Sequence, residues 1–167
     1  SQWDTSYYTP VGTTSATYPA NVFIYNPNLS PITVNYQTKA GTGNFSVAAG
    51  SVFRFVMPAL SGAHFYTSDD TPFFAAGTVD SSTSGANQTY DWGYTLIPES
   101  SLTTAFAVGW APGTANLTGN GSPVWVTAVN PTTIYVDYDG NSTTGPLTDP
   151  DGSKYDVAYS LSAYESK

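Results

Sequence analysis

Short runs in which apolar and polar residues alternate recur along the chain, and turn-forming residues lie between them. The run 32–36 has apolar or aromatic residues at every second position, and the run 51–57 repeats this pattern with Arg54 on the opposite side. Successive side chains of a β-strand point to opposite faces, so a period of two is typical of strands with one buried face. A chain with many such runs is expected to fold as packed sheets or as a barrel.

The alternation predicts an all-β protein, a two-sheet β-sandwich of about ten strands. The expected strands are 21–25, 32–36, 51–57, 63–67, 73–79, 90–97, 106–110, 124–129, 133–138 and 155–164. One helical turn is expected near residues 98–102, where the pattern is too short for a stable helix. We expect a single β-sandwich domain over residues 1–167, with an irregular lead-in over 1–20 and an acidic hairpin over 136–156.

The segments 22–36 and 124–138 resemble each other. Each contains an apolar strand, an Asn-Pro turn and an alternating strand that ends in Val-Asn-Tyr or Val-Asp-Tyr. Two duplicated β-units that pack face to face would explain this similarity. The alternative is that any two β-hairpins share these features.

The charge of the chain excludes several classes of function. Its net charge is −8 with four basic residues, so a nucleic acid or an anionic membrane surface would be repelled. No apolar run approaches the ~20 residues of a membrane span. The chain has no cysteine, and only 10% of its residues are charged, against ~25% in ordinary soluble domains. This composition resembles that of bacterial secreted and surface β-modules, so we expect an extracellular or cell-surface location.

Aspartates are concentrated near the C-terminal end of the chain. Five of the ten lie between residues 137 and 156, four of them in two turns that each contain a glycine. Clustered carboxylates repel one another unless a cation neutralises them, and a site made only of oxygen ligands suits Ca²⁺. The predicted calcium ligands are Asp137, Asp139, Asn141, Asp149 and Asp151. The alternative is a solvated hairpin, because Asp, Asn and Gly also favour turns.

Aromatic residues provide a second set of candidates. Asp91 beside Trp92 would suit a sugar, because the indole ring can stack on a pyranose while the carboxylate accepts hydroxyl hydrogen bonds. Trp110 is a further candidate, and Trp3 is the other tryptophan expected to be exposed, whereas strand alternation is expected to bury Trp125. The alternative is that these rings belong to the core, since large aromatic residues are mostly buried.

No catalytic arrangement is predicted from the sequence. His64 is the only histidine, and the residues around it contain no nucleophile motif. We therefore expect His64 to be buried, hydrogen-bonded or simply exposed, and we expect the chain not to be an enzyme.

Several short motifs together resemble a known family. They are the residues 46–52, 62–69, 71–76, 91–98 with Leu102, 108–113 and 136–140. In this order they are similar to the IgGFc-binding-protein N-terminal-type domain of large bacterial surface proteins. The resemblance implies an all-β module, usually one of many in a long cell-surface or secreted chain, with an adhesive or structural role. It carries over neither antibody binding nor any binding residue.

The predicted function is thus a non-catalytic structural or adhesive module of a bacterial cell-surface or secreted protein, with calcium as a candidate stabilising ion. The alternative is a carbohydrate-binding module that uses exposed tryptophan and tyrosine. The expected partners are neighbouring modules of a longer chain and a surface glycan or protein, without nucleic acid or membrane insertion.

Overall fold

The structure is a computed structural model, and it describes residues 3–13, 19–79, 92–107 and 124–167. The strands in these ranges are β1 Ser6–Thr9, β2 Ala20–Tyr25, β3 Ile32–Thr38, β4 Gly41–Val47, β5 Val52–Val56, β6 Ala63–Tyr66, β7 Phe74–Val79, β8 Trp92–Thr95, β9 Ile97–Pro98, β10 Thr132–Val136, β11 Leu147–Thr148, β12 Lys154–Tyr155 and β13 Val157–Leu161. One turn of 3-10 helix, Glu99–Ser101, follows β9, where the sequence predicts a helical turn.

Two antiparallel sheets form the body of the fold. The five-stranded sheet has the order β4-β3-β6-β1-β9, and the four-stranded sheet has the order β5-β2-β7-β8. Side chains from both sheets share one core, in which Val22 and Ile24 of β2 join Val34 of β3 and Phe65 of β6. The predicted all-β sandwich is therefore confirmed.

The chain crosses from one sheet to the other between β2 and β3, and Asn26 stabilises that crossing. Asn26 is fully buried, and its amide nitrogen donates to the carbonyl oxygens of Ser30 at 2.9 Å and Val47 at 3.0 Å. Its side-chain oxygen accepts from the backbone N–H of Asn28 at 2.9 Å. A buried amide is tolerated here because its donors and its acceptor are satisfied.

The inward alternation predicted for the two clearest runs is confirmed. Ile32 and Val34 of β3 are buried, and Phe53 and Phe55 of β5 pack against the core while Arg54 is exposed. These strands keep a regular register because a slip by one residue would turn their apolar side chains into solvent.

Several predicted elements need correction. The expected irregular lead-in over 1–20 contains β1, which lies inside the five-stranded sheet between β6 and β9. Strand β4 was not predicted. The segment 124–129 forms only an isolated bridge between Thr127 and Ser166. The expected strand 90–97 is divided at Leu96, and 155–164 is interrupted at Asp156. Of the expected strand 106–110, residues 106–107 are irregular and 108–110 lie outside the described residues.

The C-terminal part of the chain adds two small sheets, the pair β10–β13 and the pair β11–β12. The last residues then return to the sandwich, where Gly62 donates its N–H to the Tyr164 carbonyl at 2.8 Å. Lys39 and Glu165 form an ion pair at 2.8 Å, and the hydrogen bond from Lys39 lowers the pKa of Glu165 to about 2.

The two similar segments, 22–36 and 124–138, occupy different places in the fold. Val126 pairs with Lys167, whereas β2 pairs with β5 and β7.

Candidate functional site

The outer side of the four-stranded sheet carries a group of apolar and aromatic side chains. Inward positions on β2 are Val22 and Ile24, so Phe23 and Tyr25 point outward. Cross-strand pairing places Tyr25 beside Val52 and Phe74. We call this surface the aromatic face; it consists of Trp3, Phe23, Tyr25, Val52, Val56 and Phe74, with Asn21, Arg54 and Ala76 between them.

Five of the six apolar or aromatic side chains of the aromatic face are exposed, and Tyr25 is half-buried. The exposed fractions are 59% for Val52, 51% for Val56, 44% for Trp3 and 37% each for Phe23 and Phe74. Antiparallel sheets usually place polar residues on the side that faces water. A contiguous exposed apolar patch is instead typical of a surface that contacts another molecule.

The charge of the aromatic face differs from that of the whole chain. Strands β2, β5, β7 and β8 contain no carboxylate and one cation, Arg54, in a chain of net charge −8. The Arg54 Nε donates to the Asn21 side-chain oxygen at 2.8 Å, and the backbone of Arg54 pairs with that of Phe23. The strands of this face are thus nearly neutral within an acidic protein, and Asp4 follows Trp3 and pairs with Phe73.

The outer side of the five-stranded sheet holds a second group, which we call the His64 cluster: Ser6, Tyr8, Gln37, His64, Tyr66, Glu99 and Tyr164. The His64 ring stacks between Tyr8, at 4.1 Å between ring centroids, and Tyr66, at 4.6 Å. Register explains this arrangement, because Tyr8, His64 and Gln37 are direct partners across β1, β6 and β3.

Hydrogen bonds join the members of the His64 cluster. Ser6 Oγ lies 2.8 Å from His64 Nε2 and donates to Glu99 Oε2 at 2.6 Å. His64 Nδ1 lies 3.2 Å from the Gln37 side-chain oxygen, which also accepts from the Tyr164 hydroxyl. His64 is thus hydrogen-bonded and half-buried, one of the alternatives that the sequence left open.

The electrostatics of the His64 cluster follow from its burial. Burial lowers the pKa of His64 from its usual 6.5, and the Glu99 carboxylate opposes this effect. Burial also raises the pKa of Tyr8 to about 12, with Glu99 and Tyr164 adding to the rise. In a serine-hydrolase triad the carboxylate orients the histidine. Here Glu99 bonds the serine hydroxyl, and Gln37 rather than a carboxylate faces His64 Nδ1, so the geometry differs from that of a triad.

Sequence reasoning missed most of both surfaces. Ser6 lies in the segment expected to be an irregular lead-in, as does Trp3, of which only the exposure was predicted, and the outward side chains of β2 and β7 have no motif of their own. The only usable signal is composition: Val52 and Val56 are apolar at the positions that alternation assigns to solvent. The other residues of the two surfaces are brought together by cross-strand register, which local sequence patterns do not specify.

The first acidic turn is held by its own side chains. Asp137 accepts hydrogen bonds from the backbone N–H groups of Asp139 and Gly140 through Oδ1, each at 3.2 Å, and from Ser142 through Oδ2 at 2.8 Å. Asp139 Oδ1 accepts from the Asn141 N–H at 3.2 Å. The Ser142 bond is the largest cause that lowers the pKa of Asp137. Asp137, Asp139 and Asn141 are therefore brought onto one turn.

The second acidic turn closes the β11–β12 hairpin. Asp149 Oδ1 accepts from the N–H groups of Asp151 at 3.0 Å and Ser153 at 2.8 Å. Asp151 is exposed. Among the described residues, no three acidic or histidine side chains approach closely enough to share a cation. The structure thus places the five predicted calcium ligands on two turns and does not bring the four aspartates into one group.

The aromatic residues predicted to bind a ligand are only partly covered by the structure. Asp91 and Trp110 lie outside the described residues. Trp92 begins β8, where its backbone pairs with Val79. Trp125 is partly buried against the core, as expected. Trp3 is exposed and packs edge-on against Tyr25, with 6.2 Å between ring centroids.

Comparisons with family models, curated proteins and solved structures find no match to this chain. Within the part of the chain that the structure describes, no helix is long and apolar enough to cross a membrane.

Proposed function

We propose that this chain is a non-catalytic adhesive module of a bacterial cell-surface or secreted protein, and that it adheres through the aromatic face. The single observation that carries the proposal is the exposure of five neighbouring apolar or aromatic side chains, four of them on strands free of carboxylates and the fifth that of Trp3. Leaving such a surface in water forgoes ~25 cal/mol for each Å² of apolar area that could be covered. An adhesive contact recovers that free energy.

Two further features support an adhesive role rather than catalysis. The described residues place Ser6, His64 and Glu99 in an order that ties the serine hydroxyl to a carboxylate. The rigid sandwich also presents the aromatic face on paired strands rather than on loops, which suits a surface that must resist force.

Calcium is a secondary part of the proposal. The three oxygen-bearing side chains of the first acidic turn, Asp137, Asp139 and Asn141, lie on one loop and are pre-ordered by backbone hydrogen bonds. We propose that Ca²⁺ binds there with further oxygens from backbone and water, and that it stabilises the loop between β10 and β11.

Adhesion is tested by coupling the purified chain to beads and measuring bead retention under flow on polysaccharide-coated, protein-coated and bare plastic surfaces. The matched variant is F23S/F74S, which removes two exposed rings and leaves the inward side chains of β2 and β7 unchanged. We expect retention of wild-type beads on at least one coated surface and its loss in the variant. Equal retention of both, or no retention on any coated surface, would overturn the proposal.

The second candidate function is a carbohydrate-binding module. One observation favours it: four aromatic rings, those of Trp3, Phe23, Tyr25 and Phe74, lie on one exposed side of a sheet. This candidate uses the same surface as the adhesive role and gives it a specific ligand.

A further inference from the structure

We propose that the aromatic face binds the flat surface of a neutral polysaccharide. This inference rests on the proposed adhesive function and names the material to which the module adheres.

The rings of the aromatic face are close enough to contact consecutive sugar units. Tyr25 and Phe74 are direct cross-strand partners, and the ring centroid of Trp3 lies 6.2 Å from that of Tyr25. Phe23 pairs with Ala76, so Phe74 is its diagonal neighbour, at roughly 7–8 Å between backbones. The rings of Phe23, Tyr25 and Phe74 therefore lie on one side of β2 and β7 as a platform, and the Trp3 ring stands nearly perpendicular to that of Tyr25 beside it.

The chemistry of this platform matches a sugar ring better than a charged or strongly polar ligand. The face of an aromatic ring is electron-rich, and the C–H groups of a pyranose are slightly positive because each carbon bears an oxygen. Stacking a pyranose on the ring combines this attraction with burial of apolar area on both sides. Sugar hydroxyls at the edge of the contact remain free to bond water or neighbouring polar side chains.

The shape of the face indicates which part of a polysaccharide it contacts. Its side chains stand at alternate positions of adjacent strands, so the described residues of the face form an open sheet surface. A pocket would select a chain end or a single sugar, since pockets enclose most of a small ligand. An open platform suits instead the side of an extended chain or the surface of packed chains.

Charge distinguishes a neutral polymer from the other possible occupants. The strands of the face carry Arg54 as their only charge, and the whole chain carries −8. An anionic polysaccharide, or a second copy of this acidic chain, would meet a repulsive field on approach. A neutral polymer meets none, and Arg54 and Asn21 supply hydrogen-bonding groups among the rings.

The test is co-sedimentation of the chain with microcrystalline cellulose and with chitin particles, and gel retardation by alginate as the anionic comparison. Wild type is compared with F23S/F74S, with F23Y/F74Y, which keeps both rings, and with Y138S. The last variant removes an aromatic side chain that is 75% exposed in the first acidic turn, away from the four-stranded sheet. Melting curves identify any variant that fails to fold.

We expect the wild-type chain to sediment with cellulose or chitin, and we expect F23S/F74S to bind at least about tenfold more weakly, because hot-spot contacts dominate binding. F23Y/F74Y and Y138S should bind like the wild type. The inference is overturned if neither particle binds the chain, if F23S/F74S binds equally well, or if alginate retards the chain more strongly than the neutral particles retain it. Dimers that F23S/F74S abolishes would also overturn it, because a second copy would then occupy the face.

The failure of this inference differs from the failure of the adhesive function. Beads that adhere through the aromatic face to another surface, while cellulose and chitin fail to bind, would contradict only the polysaccharide. Loss of adhesion on every coated surface would contradict both.

Discussion

Two glycines inside strands each face a tyrosine of the neighbouring strand. Gly77 pairs with Tyr94 and Gly43 with Tyr36. A side chain on either glycine would collide with the tyrosine: a Cβ on Gly43 would lie 2.6 Å from the Tyr36 hydroxyl oxygen, and a Cβ on Gly77 would overlap the Tyr94 ring. Glycine usually weakens a strand, but here it lets the ring lie across the partner strand.

The substitution Gly77→Ala tests this arrangement. The new methyl group should displace Tyr94 and strain its hydrogen bond with Thr9 Oγ1, which is 2.8 Å long. Overpacking of this kind costs about 1–3 kcal/mol, and each kcal/mol lowers the melting temperature by roughly 2–4 °C in a domain of this size. The matched control is Gly93→Ala, whose Cβ meets no atom closer than 3.5 Å. Equal melting temperatures for the two variants would contradict the prediction.

The His64 cluster predicts a specific pH dependence of stability. The groups that face His64 are Ser6, Tyr8, Gln37, Tyr66, Glu99 and Tyr164. Because burial holds the folded-state pKa of His64 below 6.5, the unfolded chain binds a proton at higher pH than the folded chain does. The stabilisation is complete above the unfolded pKa and is lost as pH falls from about 6.5 toward the folded pKa.

Calorimetric melting of wild type and H64Q at a series of pH values measures this effect. The wild type should lose more stability than H64Q as pH falls below about 6.5, while the carboxylates that titrate lower affect both chains. Parallel curves for the two proteins would show that His64 does not titrate differently on folding.

At the scale of elements, the sequence predicts a strand well where one face of the strand is buried and the other is exposed to solvent. Strands β3 and β5 meet that condition. β1 does not, because all four of its residues are buried and the alternation is lost. β4 presents glycine at an inward position, which removes part of its apolar signal. The run 124–129 is mostly apolar, but its backbone pairs only with the short end of the chain at residues 164–167, too briefly to form a strand.

The aromatic face was even less accessible to sequence reasoning than these strands. The aromatic face exists only because β2, β5 and β7 align in one register, which local patterns do not specify. The acidic turns were found because their residues are close in sequence. Their arrangement as two separate turns depends on the pairing of β11 with β12, a pair of two-residue strands.

The first acidic turn should depend on the Asp137 carboxylate. Asp137→Ala removes the acceptor of three backbone N–H groups, so we expect a lower melting temperature and faster hydrogen exchange at residues 139–142. Asp151→Ala is the matched control, because the backbone N–H of Asp151, rather than its carboxylate, bonds Asp149. A larger effect from Asp151→Ala would contradict the assigned roles.

Calcium at the same turn is tested by melting the chain in chelator, in Ca²⁺ and in Mg²⁺. At a free Ca²⁺ concentration about ten times the dissociation constant, linkage contributes about 1.4 kcal/mol, a rise of roughly 3–6 °C. Mg²⁺ should have a smaller effect because it prefers a stricter geometry. The variant D137A/D139A should show no Ca²⁺-dependent rise. An unchanged wild-type melting temperature in millimolar Ca²⁺ would remove the metal from the proposal.

The whole molecule combines an acidic C-terminal segment, residues 137–156, with an aromatic face whose strands are nearly neutral. Five aspartates lie between residues 137 and 156, whereas the four strands of the face contain none. Under the proposed function, the aspartates of residues 137–156 repel other acidic molecules, while the aromatic face binds an uncharged partner.

Adhesion through the aromatic face should therefore be insensitive to salt. Raising ionic strength from about 0.05 M to about 1 M shortens the screening length to roughly 3 Å, which abolishes contacts between surface charges and leaves apolar contacts intact. Bead retention on the adherent surface should stay constant or rise over this range. A steep loss of retention would show that charged groups, rather than the aromatic face, make the contact.

The most direct measurement is hydroxyl-radical footprinting of the chain, free and adhered to the surface that retains it. Covering the aromatic face should reduce oxidation of Trp3, Phe23 and Phe74, while Tyr138 in the acidic turn should oxidise at the same rate in both states. Protection of Tyr138, with Trp3, Phe23 and Phe74 unchanged, would contradict adhesion through the aromatic face.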